Sequence, residues 1–385
     1  MNSAASNFMT PSPTPGPLGA ELLDTPESAA NMNGPSGVTS IEERDLDRDT
    51  PAEIAADKAV RGKKAEKSAT PLQDSIRRLR RDKRAMVSLG ILFLFIIIPI
   101  FGPVIYQHIG GPYTSHVGGQ VIGPEVYHNP FHQELDRQDE LPSAQYWLGT
   151  DSIGRDMFAR LMQGMLISII VALSVEVVNI ILGILIGVSA GFFGGWIDQL
   201  LARFTDIIFA FPGLLFVILL AGIFGTSLDG PLSRIPVIGA NGNARLLIVS
   251  IGLAVVGWPV MARFVRGQSL QLKGQQFIEA ARTSGASDLR IIRKHIVPNL
   301  FSIVVVAATL DIANTVIGEA GLSFLGLGVQ TPGSSIGLMI NDATTNISTH
   351  PWEVLLPSIV LTLIVLALSF LGDGLQSAFD PRSKD

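Results

Sequence analysis

Cysteine is absent from the 385 residues, which excludes disulfides, thiolate metal centres and cysteine nucleophiles. Charge is scarce as well: Asp, Glu, Lys and Arg make up 16% of the chain, against roughly 25% in soluble domains. So little polar surface cannot cover a soluble globule of this size, and a soluble enzyme is excluded. No Gly-x4-Gly-Lys-Ser/Thr phosphate loop occurs; Gly-Lys appears only at Gly62-Lys63, followed by Lys64. No serine–histidine–acid or paired-carboxylate constellation stands out. The basic run near residue 80 suits anionic lipid, and no further basic patch points to nucleic acid.

Apolar residues are present instead, 47% of the chain, gathered in blocks long enough to cross about 30 Å of hydrocarbon as helix. Six blocks are candidate spans: 86–106, 164–190, 204–226, 245–264, 299–319 and 353–372. The expected fold is an all-α integral membrane protein. Its expected organisation is a disordered tail over 1–74, a basic juxtamembrane segment and first span over 75–106, an external loop over 107–163, a five-helix core over 164–374 and a C-terminal piece over 375–385. The tail is rich in Pro, Ser, Ala, Gly and acidic residues, and Phe8 is its sole aromatic up to residue 70, too little to offset the entropy of ordering. Its start lacks the basic and apolar pattern of a secretory leader.

Orientation follows from the loops. Arg77, Arg78, Arg80, Arg81, Lys83 and Arg84 precede the first span, and short basic flanks stay in the cytoplasm. Six crossings then return the C-terminus, with Arg382 and Lys384, to the same side. The loop 265–298 carries Arg266, Lys273, Arg282, Arg290, Arg293 and Lys294, whereas 320–352 has neither Lys nor Arg. Both termini are therefore expected in the cytoplasm of a multi-pass protein of the cell membrane, in contact with lipid.

The spans are not uniform. Gly183, Gly187 and Gly191 form a small-residue face suited to close helix approach. Pro99, Pro103, Pro212, Pro259 and Pro357 interrupt apolar blocks, which suits helices packed within a bundle. Glu176, Asn179, Asp206, Asp311, Asn314 and Glu319 lie at or near membrane depth, where a central carboxylate costs roughly 2.5–3.5 kcal/mol on insertion scales. Glu176, Asn179, Asp311 and Asn314 are candidate linings of an aqueous path, set against a helix–helix hydrogen bond or salt bridge, which explains them more simply. Asp311 and Asn314, three apart, are expected on one helix face. In the external segment 107–147, His128 and His132 have helical ligand spacing, but Pro130 between them argues against a metal site. No metal site is expected.

The strongest signal is the cytoplasmic stretch Glu279-Ala280-Ala281-Arg282-Thr283-Ser284-Gly285-Ala286-Ser287-Asp288-Leu289-Arg290-Ile291-Ile292-Arg293-Lys294-His295-Ile296-Val297-Pro298-Asn299. A short helix over 275–283 is expected, stopped by a left-handed Gly285. Ser287 is placed to cap a second helix with an apolar stripe of Leu289, Ile292 and Ile296, ended at the membrane by Pro298. Such a helix–turn–helix is shaped to dock into a groove on a soluble partner.

This stretch resembles the EAA loop of bacterial ABC-importer permeases, and His295-Ile296 with Pro298-Asn299 resembles the oligopeptide/dipeptide (peptide/nickel) branch. Leu148-Gly149-Thr150-Asp151, Gly154-Arg155-Asp156 with Arg160, Ser323 to Gly328, Leu371 to Leu375 and Asp380-Pro381-Arg382 resemble the C-type subunit of that branch. The resemblance covers about residues 75–385 and implies six helices of the type I importer kind. It implies pairing with a second related permease, docking of the 275–298 loop on one of two cytoplasmic ATPase subunits, and peptide delivery by an extracytoplasmic binding protein. The chain itself would need no cofactor, ATP and Mg being bound by the ATPases. Glu279, Ala280, Ala281, Gly285, Ser287, Asp288, Leu289, Ile292, His295 and Pro298 are the coupling residues so implied. A stand-alone channel or secondary transporter, or an importer of the same class carrying nickel or another small solute, are the alternatives.

Overall fold

The computed structural model describes residues 71–109, 113–117, 120–126, 128–233 and 244–379. The tail up to residue 70 and the C-terminal Arg382 and Lys384 lie outside the described residues, as does Tyr127 of the external segment. Among the described residues, five helices are long and apolar enough to cross a membrane, and a bent pair raises the number to six if it counts as one span.

In chain order, α1 is Pro71–Leu79, α2 Lys83–Ile109, α3 Met157–Phe193, α4 Gly195–Phe209, α5 Gly213–Ser233 and α6 Ala244–Lys273. There follow α7 (Gln276–Thr283), α8 (Asp288–Ile291), a π-helical turn over Ile292–Ile296, α9 (Val297–Phe324), α10 (Ile336–Ala343) and α11 (Trp352–Phe379). Between α2 and α3, β1 (Tyr113–Val117) and β2 (Gln120–Val126) form an antiparallel hairpin with an irregularity in its register.

Several boundaries differ from those expected. Helix α1 already begins at Pro71, inside the stretch expected to be disordered. Asp82, within the basic run, accepts the Arg84 and Ala85 N–H groups and so starts α2. Helix α3 starts at Met157 rather than 164 because Asp156 caps it, its carboxylate accepting the Phe158 and Ala159 N–H groups at 2.9 and 3.1 Å. The third apolar block is not one rod: α4 and α5 meet at 69°, with Pro212 in the break. Proline lacks the N–H that would continue the ladder, so the chain turns there. Pro99, Pro103, Pro259 and Pro357, in contrast, sit inside continuous helices.

Helix α3 is the centre of the arrangement. It packs along α6 and also touches α2 and α9; α11 covers α2 and α9, and α5 lies against α6. The α3–α6 seam depends on the glycines. A Cβ at Gly187 would stand 2.6 Å from the Ala262 carbonyl oxygen, and one at Gly191 2.7 Å from Ser269 Cβ. Gly183 lies directly against Met261. Close backbone approach maximises dispersion contact where lipid offers no hydrophobic gain. Gly187→Leu is therefore expected to lower the melting temperature of the purified complex, overpacking costing about 1–3 kcal/mol. Gly90→Leu, at a position on α2 with open space around it, is the control expected to melt like wild type.

Large apolar side chains such as Phe93, Phe101, Leu185 and Phe301 point outward on the long helices. That inside-out surface is what a lipid environment accepts and water does not. At the end of the bundle away from α7, the 325–351 connection is not an open loop. Gly326 (φ +75°) closes α9, the Leu327 N–H reaching back to the Leu322 carbonyl at 2.9 Å. Helix α10 then buries Ile336, Leu338 and Met339.

Candidate functional site

The segment 275–300 is built as two short pieces around a tight turn. Helix α7 ends in a complete Schellman arrangement: Gly285 takes φ +80°, its N–H donates to the Arg282 carbonyl at 2.9 Å, and the Ala286 N–H donates to the Ala281 carbonyl at 3.0 Å. Ala281 and Ala286 then meet the same apolar cluster, the hydrophobic contact that accompanies this motif.

That cluster fixes the loop to the bundle. Ile278, Ile291 and Ile296 are fully buried beside Val188 and Phe192 of α3 and Met261 and Val265 of α6. The Arg282 guanidinium lies 5.4 Å from the centre of the Phe192 ring. Facing away are Glu279 and Ala280, with Phe277 42% and Leu289 64% exposed. The loop thus has an anchored apolar side and an outward rim mixing apolar and charged groups.

Three details of the expected loop are corrected. Ser287 occupies the N-cap of α8 with extended backbone, but its side chain makes no capping bond; its carbonyl accepts the Ile291 N–H at 3.0 Å instead. The inward stripe is Ile291, Ile296, Leu300 and Val304, not Leu289, Ile292 and Ile296; Leu289 points outward and Ile292 is half-buried. The π turn is responsible, since it spaces Ile291 and Ile296 five apart before the α spacing of four resumes. Pro298 does not end the helix either. It sits in the first turn of α9, where its missing N–H costs little, and the wider π turn before it carries the helix through to Phe324. His295 lies 6.3 Å from Phe277, ring centre to ring centre.

Within the bundle, three of the four path candidates come together. Asn179 on α3 donates to Asp311 on α9 at 3.0 Å, and buried Glu176 lies beside both. Gly257 of α6 makes the room; a Cβ there would stand 2.6 Å from the Asn179 amide. Asn314 is exposed and not part of this group. Beside it an open apolar groove of about 580 Å³ runs between α3 and α6, with Ser174 and Ser250 as polar walls and none of the four candidates lining it. Glu319, fully buried, accepts from Ser168 at 2.6 Å and Ser323 at 2.7 Å. Asp206 pairs with Arg263 at 2.8 Å, and Asp198 takes both Arg266 donors, so two ion pairs tie α4 to α6.

The opposite end holds a charge network that joins Asp151, Arg155 and Arg160 to Asp342 of α10, a pairing not expected from the sequence. Arg155 and Arg160, both buried, bridge Asp151 and Asp342, with Arg155 donating to them at 2.7 and 2.9 Å and Arg160 at 2.5 and 2.7 Å. The motif before the second span marked both arginines and Asp151, but nothing local pointed to Asp342, 187 positions after Arg155. His128 is held by Asp156 at 2.7 Å and stacks on Tyr106 at 4.1 Å, so it braces the start of α3. Burial works against the charge of Arg137, yet its paired hydrogen bonds to Glu140, with Tyr146 and Glu134 nearby, hold its pKa above the ordinary guanidinium value.

Residues 183–385 match the family model described as the binding-protein-dependent transport system inner membrane component. Residues 70–118 match the model for the N-terminal transmembrane domain of oligopeptide transport permease C. The dipeptide transport system permease protein DppC of Bacillus subtilis (strain 168) is 36% identical over 311 residues, 80% of this chain and 85% of the relative. The oligopeptide permease protein OppC of the same organism is 34% identical over 318 residues, 83% of this chain and 92% of the relative. The glutathione transport system permease protein GsiD of Escherichia coli O6:K15:H31 is 36% identical over 321 residues, 83% and 94% of the two chains. Among solved structures, the inward-facing MetNI methionine ABC transporter matches with TM-score 0.42 and 20% identity, over 58% of this chain and 97% of that one.

Proposed function

The chain belongs to the binding-protein-dependent transport permeases of the OppC type, and from that premise we propose that it forms half of a peptide translocation path, driven through its 275–298 loop. It is a multi-pass permease subunit of an ABC importer of the peptide/glutathione family, a subunit type that lacks an ATPase domain. Membership in that family implies ATPase and binding-protein partners in general.

The basic flank before α2 and the basic 265–298 loop put both termini and the coupling loop in the cytoplasm. A second related permease completes the path. Each permease docks on one of two ATPase subunits, which alone bind ATP and Mg, and an extracytoplasmic binding protein delivers peptide to the outer mouth. The observation that carries this reading is the two-sided loop: Ile278, Ile291 and Ile296 fully buried, Phe277, Glu279, Ala280 and Leu289 outward. A rim rigidly seated on α3 and α6 passes a push from a docked partner into the helices, because packed side chains move as a body. Glu279, Ala280, Ala281 and Gly285 transmit that push, and Glu176, Asn179 and Asp311, clustered where α3 meets α9, are the polar groups that line the path.

The test is uptake of labelled di- to pentapeptides into vesicles that hold the permease pair, the ATPases and the binding protein. Uptake is expected only with ATP and the binding protein, and it should survive collapse of ion gradients. Gradient-driven uptake without ATP would establish a secondary transporter instead. ATP-dependent uptake of nickel or glutathione with none of peptide would keep the importer class and overturn the cargo.

A further inference from the structure

At the end of the bundle away from the coupling loop, Asp139 from the segment before α3 meets His350 and Glu353 from the start of α11. One donor atom from each, two carboxylate oxygens and a ring nitrogen, lie within 4.8 Å of one another. Ligands about 2.1 Å from a tetrahedral zinc stand roughly 3.4 Å apart, so small side-chain rotations would bring these three onto one ion.

The second observation concerns Glu353. It is 1% exposed, and among the described residues no donor reaches either carboxylate oxygen. A buried carboxylate without a donor is costly, and native proteins satisfy such groups with a cation or a proton. The nearby Arg160 already donates to Asp151 and Asp342. The other two residues are held in place. Asp139 accepts from Asn346 at 3.3 Å and donates its N–H to the Asp151 carbonyl at 3.1 Å, while the His350 ring sits edge-on to Trp352 at 5.0 Å. Their side chains are 25% and 29% exposed, which leaves an open side for water ligands.

We propose that Asp139, His350 and Glu353 bind a divalent transition-metal ion of the zinc class, which clamps the segment before α3 to the first turn of α11. Two carboxylates and a neutral imidazole balance a divalent charge. One nitrogen and two oxygens suit zinc or a neighbouring transition ion, whereas calcium asks for six to eight oxygens and magnesium binds mainly through water and oxygen. The site depends on none of the coupling residues.

The experiment uses the full complex purified without metal, titrated with zinc, desalted and analysed for zinc by mass spectrometry, alongside a thermal melt. Wild type is expected to retain one equivalent at this site and to melt higher with zinc than after chelation, because binding to the folded state adds stability. Glu353→Gln, nearly isosteric, and His350→Ala, at a partly exposed position, should each weaken binding at least about tenfold and lose the zinc-dependent rise in melting. Asp139→Asn is the third variant, should either of the others fail to assemble. Zinc retention equal in wild type and variants, or a melting temperature indifferent to zinc, would overturn the site and leave a proton shared between Glu353 and Asp139.

Discussion

Gly285→Asp is expected to lower ATP-driven uptake and substrate-stimulated ATP hydrolysis at least about tenfold while the permease pair still assembles. The expectation rests on separating two costs. Gly285 takes φ +80°, so any side chain there costs about 1–2 kcal/mol, and Asp is among the residues that accept that conformation best. Among the described residues nothing lies within 4 Å of a Cβ at this position, so the carboxylate clashes with none of them. Under the proposed docking it would instead project toward the ATPase, where an unpaired charge taken out of water costs several kcal/mol, and 1.4 kcal/mol already makes a factor of ten. Gly285→Ala is the informative companion. It carries the backbone cost without the charge, and its effect should be the smaller. Equal losses in both variants would assign the effect to the turn itself, and unchanged uptake in Gly285→Asp would remove this loop from the coupling route.

Asp151→Ala is expected to destabilise the protein by about 3–5 kcal/mol, the usual cost of breaking a buried ion pair from one side. Arg155 and Arg160 would be left sharing Asp342 alone, in surroundings where their side chains are 2% and 1% exposed. The readout is the melting temperature of the complex and its yield from the membrane. Asp206→Ala gives the contrast. Its pair with Arg263 is 56% and 41% exposed, and exposed pairs contribute at most about 1 kcal/mol. Comparable melting of the two variants would mean that water reaches the Asp151 network.

The 275–298 segment was legible because its signals are local. Glu279, Ala280, Ala281 and Gly285 lie within one turn-and-stop pattern, and the left-handed glycine, the short helix before it and the family resemblance all follow from neighbouring residues. The spans were legible for the same reason, since an apolar run of the right length is a property of one stretch of chain. The π turn at Ile292–Ile296 was not, because it is set by which isoleucines reach Phe192, Met261 and Val265 on other helices. Nor was the passage of the helix through Pro298, which depends on that turn. The bend at Pro212 is an intermediate case: the proline marked an interruption, but the 69° between α4 and α5 is secured by Arg263 and Arg266 of α6.

The polar groups divide along the same line. Composition and loop charge determined that this is a membrane-spanning chain with one strongly basic loop, since these are sums over adjacent residues that hold in any packing. Which charges meet was decided only by the fold. Arg155 and Asp342 are 187 positions apart, Asn179 and Asp311 132 apart, and Ser168 and Glu319 151 apart. Asp311 and Asn314, three apart on continuous α9, still differ in surroundings: Asp311 is half-buried and accepts from Asn179, whereas Asn314 is exposed. A hydrogen bond acts over about 3 Å, so partners so distant along the chain are chosen by how the helices pack, not by the order of residues within them.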